Sequence, residues 1–405
     1  MSRSPFDFDV AVIGGGSAGY AAAAGTARQG LRTVVIEGGE EAGGLCILRG
    51  CMPSKALLYA AEILHLVRQA EVWGLRIEGT GFDFTRVMAR KRELIGEFAE
   101  HRRRELNSGL FQFIRAKARF RDEHTLMLDS GENLSARNFV ISTGSIIAPP
   151  PLPRLKEVGY LTSDDALSLQ RLPQSMIVLG GGLVGVELAQ FFVRFDVKVT
   201  LIQRGEHLLS GQDTDASREL EKVFRREGMT VFTGTRIEDA WLEGGLKGVS
   251  FAHGGQTVRV AAEEILFALG RIPNTGGLDL ENAGVFTEKH RILTNTEMQT
   301  TAHHIYAAGD CTGPHEIVHI AVQQGEIAAH NIAHPQQMRS IDYRLLTSVV
   351  FTDPQIATVG LTEKEAVARS IPYIAASYPF SDHGKSLIME AKDGFVKLLA
   401  DPSSG

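Results

Sequence analysis

Cysteine is scarce in this chain: three among 405 residues. So few cannot staple a secreted disulfide scaffold of this length. Basic residues do not exceed acidic ones, at 42 Lys and Arg against 48 Asp and Glu, and the net charge is −6. That excludes the electrostatic footprint of a nucleic-acid binder and a polybasic membrane anchor. No apolar run is long and clean enough for a membrane span. The strongest, Ser175 to Phe192, carries Glu187 and four glycines and reads as strand, turn and helix. The start, Met1-Ser2-Arg3-Ser4-Pro5-Phe6-Asp7-Phe8-Asp9, has acids where a secretory signal needs bases and an apolar run. These absences point to a cytoplasmic protein, where a disulfide is more often catalytic than structural. Hydrophobic residues at 43% and charged residues at 22% are ordinary for a folded protein. The length allows roughly two to four domains.

Proline is low at 14 while glycine is high at 43, and the glycines cluster. Val10-Ala11-Val12-Ile13 runs into Gly14-Gly15-Gly16-Ser17-Ala18-Gly19, an Ala-rich helical stretch to about Arg28, and a second apolar run, Thr33 to Ile36, closed by Glu37. Met176-Ile177-Val178-Leu179 repeats the pattern with Gly180-Gly181-Gly182-Leu183-Val184-Gly185, a helix Val186 to Arg194, and the run Val197 to Ile202, closed by Gln203. Glu37 lies 23 residues after Gly14, and Gln203 lies 23 after Gly180. Two such units predict two doubly wound, nucleotide-binding domains. The first glycine of each allows the tight turn, the second admits a pyrophosphate, and the third lets helix pack on strand. The helix N-terminus then favours the anion.

Other signals organise the rest. Phe84 to about Ser108 reads as a charged helix, with Arg102-Arg103-Arg104 as a solvated face. Phe139 to Ser142 reads as a strand closed by Thr143-Gly144. Pro149-Pro150-Pro151 marks a linker. Ile265 to Leu269 reads as a strand leading through Gly270-Arg271-Ile272-Pro273-Asn274 back into the first domain. Boundaries fall at 1–150 and 269–335 for the first nucleotide-binding domain, 151–268 for the inserted second, and 336–405 for a last α+β segment with strand-like runs at Ser348 to Phe351 and Phe395 to Leu399.

Gly43-Gly44-Leu45-Cys46-Ile47-Leu48-Arg49-Gly50-Cys51-Met52-Pro53-Ser54-Lys55 places two cysteines five positions apart, with Pro53 and Ser54 suited to the first turn of a helix to about Ala70. A helix N-terminus and Lys55 would both stabilise a Cys51 thiolate, as dithiol–disulfide exchange requires. The competing readings of the pair alone are buried structural cysteines, or half of a metal site completed by histidines. No second cysteine pair exists for a four-sulfur zinc site, and no metal centre is predicted. Cys311, with no cysteine near it in sequence, reads as structural.

These segments, together with Ser142-Thr143-Gly144, Tyr306-Ala307-Ala308-Gly309-Asp310 and Phe351-Thr352-Asp353-Pro354 through Glu363, resemble in order and spacing the class I pyridine nucleotide–disulfide oxidoreductases. That group includes dihydrolipoamide dehydrogenase, glutathione reductase and mercuric reductase. The resemblance implies an FAD domain split by an inserted NAD(P) domain, followed by a dimer-interface domain. It implies FAD on Gly14, Gly16, Gly19, Glu37, Lys55, Ala118, Thr143, Gly144, Asp310 and the segment up to His319. It places the nicotinamide nucleotide on Gly180, Gly182, Gly185, Gln203, Arg204 and Gly270. Cys51 would face the flavin, Cys46 would exchange with substrate, and Lys55 would pair with Glu187. Electrons would pass between nicotinamide, flavin and a Cys46–Cys51 disulfide.

Gln203 followed by Arg204, in place of a carboxylate, favours NADPH over NADH. Leu183 stands where glutathione reductases carry a gating Tyr, which counts against that branch. Val318-His319-Ile320-Ala321 resembles dihydrolipoamide dehydrogenases; Asp310-Cys311 and Gln203-Arg204 resemble mercuric reductases. Leu48 stands where the family usually has Asn. The substrate is expected to be a small disulfide, dithiol or metal ion, with a homodimer as the working form. The family continues past Gly405 into a His-Pro motif with a downstream Glu that supplies a base to the partner subunit. His334-Pro335 lies too early to be that motif. A C-terminally truncated chain with an incomplete interface domain is therefore expected, dimerising poorly and turning over disulfides slowly. A flavoprotein diaphorase or redox-sensing module is the alternative.

Overall fold

The computed structural model describes residues 5–313 and 315–405. The first four residues of the N-terminal stretch, and position 314 between Asp310 and His319, lie outside the described residues. The chain forms two compact units. One comprises Met1–Met52, Glu93–Ala148 and Arg271–Asp342. The other comprises Pro53–Arg92, Pro149–Gly270 and Tyr343–Gly405.

In the first unit, strand Phe8–Ile13 runs parallel between Thr33–Glu37 and Asn133–Ile141, with Val12 opposite both Val35 and Val140. Gln112–Arg115 extends the sheet beyond Thr33–Glu37, and Ile305–Ala307 pairs parallel with the far end of Asn133–Ile141. Val10, Ala11 and Val12 have no exposure at all. A parallel sheet is covered on both faces, so its strands read as continuous apolar runs rather than alternating ones. Helices Ser17–Arg28 and Val318–Ala333 pack closely because both present small residues. A Cβ on Gly25 would stand 2.7 Å from the Ala329 methyl, and one on Gly325 2.3 Å from the Ala18 carbonyl.

The second unit repeats the plan. Its parallel sheet runs Thr230–Phe232, Lys198–Ile202, Ser175–Leu179, Glu264–Phe267, with helices Leu183–Arg194 and Thr214–Arg226. A three-stranded antiparallel sheet, Arg236–Glu243, Leu246–His253 and Gln256–Ala262, sits in the crossover before the last parallel strand. Helix Cys51–Gln69 contributes Leu57, Ala61 and Leu64 to the core around Phe191, Phe192 and Phe195. Two short hairpins close the unit: Thr347–Val350 with Ile356–Val359, and Ile374–Pro379 with Phe395–Ala400. Lys397 anchors the last strand, 2.8 Å from Asp213, 2.8 Å from Asp215 and 3.0 Å from Glu363. Burial opposes its charge, but the three carboxylates outweigh it and hold the ammonium well above the usual lysine range.

Two expectations are corrected. The helix starts at Cys51, not at Pro53. Proline is tolerated at its third position because the first four N–H groups of a helix have no intrahelical partner. Helix Phe84–Leu106 does not carry Arg102-Arg103-Arg104 as a uniformly solvated face: Arg102 turns inward, with 17% of its side chain exposed against 58% for Arg103. Residues Pro53–Arg92 fall in the second compact unit. No helix among the described residues is long and apolar enough to cross a membrane.

Two glycine substitutions test the packing. Gly325→Ala should destabilise the protein by about 1–3 kcal/mol through overpacking, because its methyl would meet the Ala18 carbonyl. Gly96→Ala, in the helix Phe84–Leu106 with open space around it, should stabilise by about 0.5–1 kcal/mol. Urea unfolding midpoints at constant slope measure both.

Candidate active site

The two glycine turns have the same backbone wiring. Gly14 N–H donates to the Ile36 carbonyl at 2.8 Å, and Gly180 N–H to the Ile202 carbonyl at 2.9 Å. Ser142 N–H reaches the Ile13 carbonyl at 2.9 Å, and Ala268 N–H the Leu179 carbonyl at 2.8 Å. Gly14 and Gly180 have φ of +105° and +107°, and a Cβ on either would stand 2.5 and 2.3 Å from the carbonyl oxygen of Ser142 and Ala268. Gly19 and Gly185 are equally constrained, since a Cβ on each would lie 1.9 Å from the Gly14 and Gly180 carbonyls. Gly16 and Gly182 face open ground: the nearest atom to a Gly16 Cβ is the Gly44 Cα at 3.7 Å, and nothing lies within 4 Å at Gly182. Both cap a helix with no side-chain cap and no acid in its first turn. Each turn is thus a concave surface with a bare helix N-terminus, suited to a phosphate.

The residue at the end of each second strand braces its turn and differs in charge. Glu37 accepts from Gly15 N–H at 2.8 Å and Gly39 N–H at 2.7 Å. Gln203 accepts from Gly181 N–H at 3.0 Å and donates to the His207 carbonyl at 3.4 Å. Arg204 is exposed beside it. Gly144 and Gly270, at φ +70° and +114°, end the neighbouring strands with open space at their Cα atoms.

On the first unit, Thr143 Oγ1 donates to the Asn274 carbonyl at 2.6 Å. Asp310 accepts from Ser145 Oγ at 2.7 Å, and Arg271 holds the same serine through its Oγ at 2.8 Å and its carbonyl at 2.7 Å. Sequence reading missed Ser145 and Arg271, which carry no motif of their own and meet Asp310 only by folding. Ala118 opens the strand Ala118–Asp122, and His319 is exposed in the first turn of Val318–Ala333. Cys311 is fully buried, its Sγ 3.4 Å from the carbonyls of Ile141 and Ala308. Burial, helped by the charge of Asp310, pushes this thiol up to about 12.

Cys46 and Cys51 are both half-buried, which is not the burial of structural cysteines. Each occupies the first turn of a helix, Leu45–Arg49 and Cys51–Gln69, with Gly50 between them. Lys55 lies four residues along the second helix. In the second unit its Nζ stands 2.8 and 3.1 Å from the Glu187 carboxylate and 4.6 Å from the centre of the Phe351 ring. Glu187 is 6% exposed and also accepts from Phe351 N–H at 3.0 Å. Lys55 lines a cavity of about 240 Å³ together with Tyr59, Gln190, Arg194, Phe351 and Asp353 among others. No cluster of three metal-ligating side chains occurs among the described residues.

Comparison with known proteins decides the family. The model of the pyridine nucleotide-disulphide oxidoreductases matches residues 8–325, and that of their dimerisation domain matches 346–405. This chain belongs to the pyridine nucleotide-disulphide oxidoreductase family. It is 35% identical to a dihydrolipoyl dehydrogenase of Bacillus subtilis (strain 168), over 98% of this chain and 86% of that protein. It is 34% identical to a mercuric reductase of Staphylococcus aureus, over 98% of this chain and 72% of that one. The HOCl-induced flavoprotein disulfide reductase RclA from Escherichia coli has the same fold, with a TM-score of 0.85 and 27% identity over 97% of this chain and 86% of that structure. Members of this pyridine nucleotide-disulphide oxidoreductase family are FAD-dependent and use NAD(P)H. The first glycine turn fits FAD: the bare cradle at Gly16 and the Glu37 carboxylate at the strand end are the two features a dinucleotide's pyrophosphate and ribose need.

Two outcomes follow. Glu187→Ala leaves Lys55 and the Phe351 N–H without their partner and should cost about 2 kcal/mol in urea unfolding. Cys311 should resist iodoacetamide at pH 9 in the folded protein while the reduced Cys46 and Cys51 are labelled. Its folded pKa is raised above the ordinary 9.0. Its stabilising contribution is therefore complete below pH 9 and lost as pH rises toward about 12. Cys311→Ala should flatten that alkaline decline in chemical unfolding.

Proposed function

We propose that this protein is an FAD-dependent NAD(P)H:disulfide oxidoreductase, most like dihydrolipoyl dehydrogenase, acting on a small dithiol or disulfide through Cys46 and Cys51. In this reading residues 1–150 and 269–335 form the FAD domain, 151–268 the NAD(P) domain and 336–405 the interface segment. The observation that carries the reading is the placing of each cysteine in the first turn of its helix, the two helices being separated only by Gly50. A helix N-terminus lowers a thiol's pKa and makes its thiolate the better leaving group.

The exchange balances on this chain's own atoms. A substrate thiolate attacks the Cys46 sulfur of a Cys46–Cys51 disulfide, forming a mixed disulfide as Cys51 leaves as a thiolate. The substrate's second thiolate attacks its own sulfur in that mixed disulfide, releasing the substrate disulfide and a Cys46 thiolate. The substrate is oxidised by two electrons and the cysteine pair is reduced by two; the reverse sequence reduces a disulfide. FAD, when bound, supplies the two-electron link between this pair and the nicotinamide. It would be held by Gly14, Gly16, Gly19, Glu37, Lys55, Ala118, Thr143, Gly144, Asp310 and His319. Lys55 pairs with the Glu187 carboxylate at 2.8 Å.

Gly180, Gly182, Gly185, Gln203, Arg204 and Gly270 would hold the nucleotide. An amide at position 203 does not repel a 2′-phosphate, and the exposed Arg204 can attract one, so NADPH is the preferred donor. Arg204→Glu should lower kcat/KM for NADPH about tenfold and leave that for NADH nearly unchanged. The dimerisation-domain match supports a homodimer, and the sparse cysteines support a cytoplasmic setting. Gln203-Arg204 and Asp310-Cys311 favour one second reading, a metal-ion reductase of the mercuric type.

Anaerobic titration with NADPH tests the central claim. The wild type should take up two electrons with a long-wavelength thiolate–flavin absorbance band, and Cys51→Ser should lose that band. Cys46→Ser should keep it and lose lipoamide turnover at least a thousandfold. Bleaching without the band in the wild type would replace the disulfide reading with a diaphorase. Turnover of Hg(II) but not lipoamide would favour the second reading.

A further inference from the structure

Among the described residues, Arg102 is the one cation in the first unit whose buried donors are left open. Its Nε and Nη1 are shielded from solvent and have no hydrogen-bond partner among the described residues. Glu105 does not satisfy it: Nε is 3.5 Å from Glu105 Oε2, too long for a charge-assisted bond. The other carboxylate oxygen is taken by Tyr20 Oη–H at 3.0 Å. The guanidinium stacks on the Tyr20 ring, 4.1 Å from its centre. That fixes the plane of the fork without filling its donors. An unfilled buried charge is costly, so a native structure keeps one where something fills it.

Its location says what. The Arg102 stem lies against Gly43, where a Cβ would stand 3.6 Å from Arg102 Cγ. The adjoining Gly44, at φ +80°, abuts Gly16 so closely that a Cβ on Gly44 would be 2.6 Å from the Gly16 Cα. Gly16 caps the helix Ser17–Arg28, and Tyr20, the residue beneath the guanidinium, belongs to that helix's first turns. The cation therefore borders the glycine cradle and its bare helix N-terminus. A planar fork with two open donors matches a bridging phosphate group.

We propose that Arg102 is a positioning and binding residue for the FAD pyrophosphate, supplying the countercharge that the neutral glycine cradle lacks. The proposal rests on the flavin reading above. The full chain is stripped of flavin, and FAD binding is followed by quenching of flavin fluorescence, with urea unfolding of the flavin-free protein alongside. R102Q should weaken FAD binding roughly tenfold to a hundredfold, while the flavin-free protein unfolds at the same or higher urea, because an unfilled buried charge has gone. R102K keeps the charge but loses the fork and should weaken FAD binding by a smaller factor, which holds the test open if R102Q does not fold. FAD affinity within twofold of wild type in a folded variant overturns the proposal. So does weaker binding accompanied by an equally destabilised flavin-free protein in both variants, the mark of a packing role. A wild type that binds no FAD would instead overturn the flavin reading itself.

Discussion

A single close approach governs both nucleotide turns. The first glycine of each presses its Cα against the carbonyl of the residue just after the neighbouring parallel strand, Gly14 on Ser142 and Gly180 on Ala268. Any side chain there would collide with backbone, which cannot move without breaking the parallel register Ile13 to Ile141 or Leu179 to Phe267. The contact swings the chain sharply out of the strand, so that the following helix begins at the sheet's carboxyl edge with its N–H groups bare. The third glycine packs that helix back against the first glycine's carbonyl. The cradle, the strand-end Glu37 or Gln203 and the flanking Gly144 or Gly270 all follow from this geometry.

Buried charge does the remaining organisation in the second unit. Glu187 joins Lys55 to the Phe351 backbone. One turn on, Gln190 exchanges two 2.7 Å hydrogen bonds with the Asp353 backbone, and Arg194 bridges Glu227 at 2.6 Å and Asp353 at 2.7 Å. Three polar residues on one face of helix Leu183–Arg194 thus grip the segment 351–353. Lys397 ties down the last strand. Isolated ion pairs at a surface add little, but here Glu187 and Glu227 are largely buried and each accepts from two residues, Lys55 with Phe351 N–H and Gln190 with Arg194. Losing one partner strands the others.

Much of this was readable in order along the chain. Local signals marked the glycine turns, because the requirement is backbone space and only glycine meets it. The parallel strands showed as uninterrupted apolar runs, and the shared 23-residue spacing exposed the repeat. Strand and helix bounds came within a few residues, although Cys51 starts its helix where the proline suggested a later start. What escaped was non-local. Ser145, Arg271 and Asp310 lie far apart in sequence and form one network. The triplet Arg102-Arg103-Arg104 looks uniform, yet helical rotation sends only its first member inward.

The amino-acid sequence by itself determined the two nucleotide folds and the family, because each depends on residues close together whose spacing is dictated by backbone geometry. Tertiary structure alone decided which charges are buried and which carboxylate meets which cation. Burial is a property of the packed chain. A lysine, glutamate or arginine looks the same in sequence on either side of a helix, and only the neighbours brought by folding make one a solvated charge and another, such as Arg102, a largely buried one.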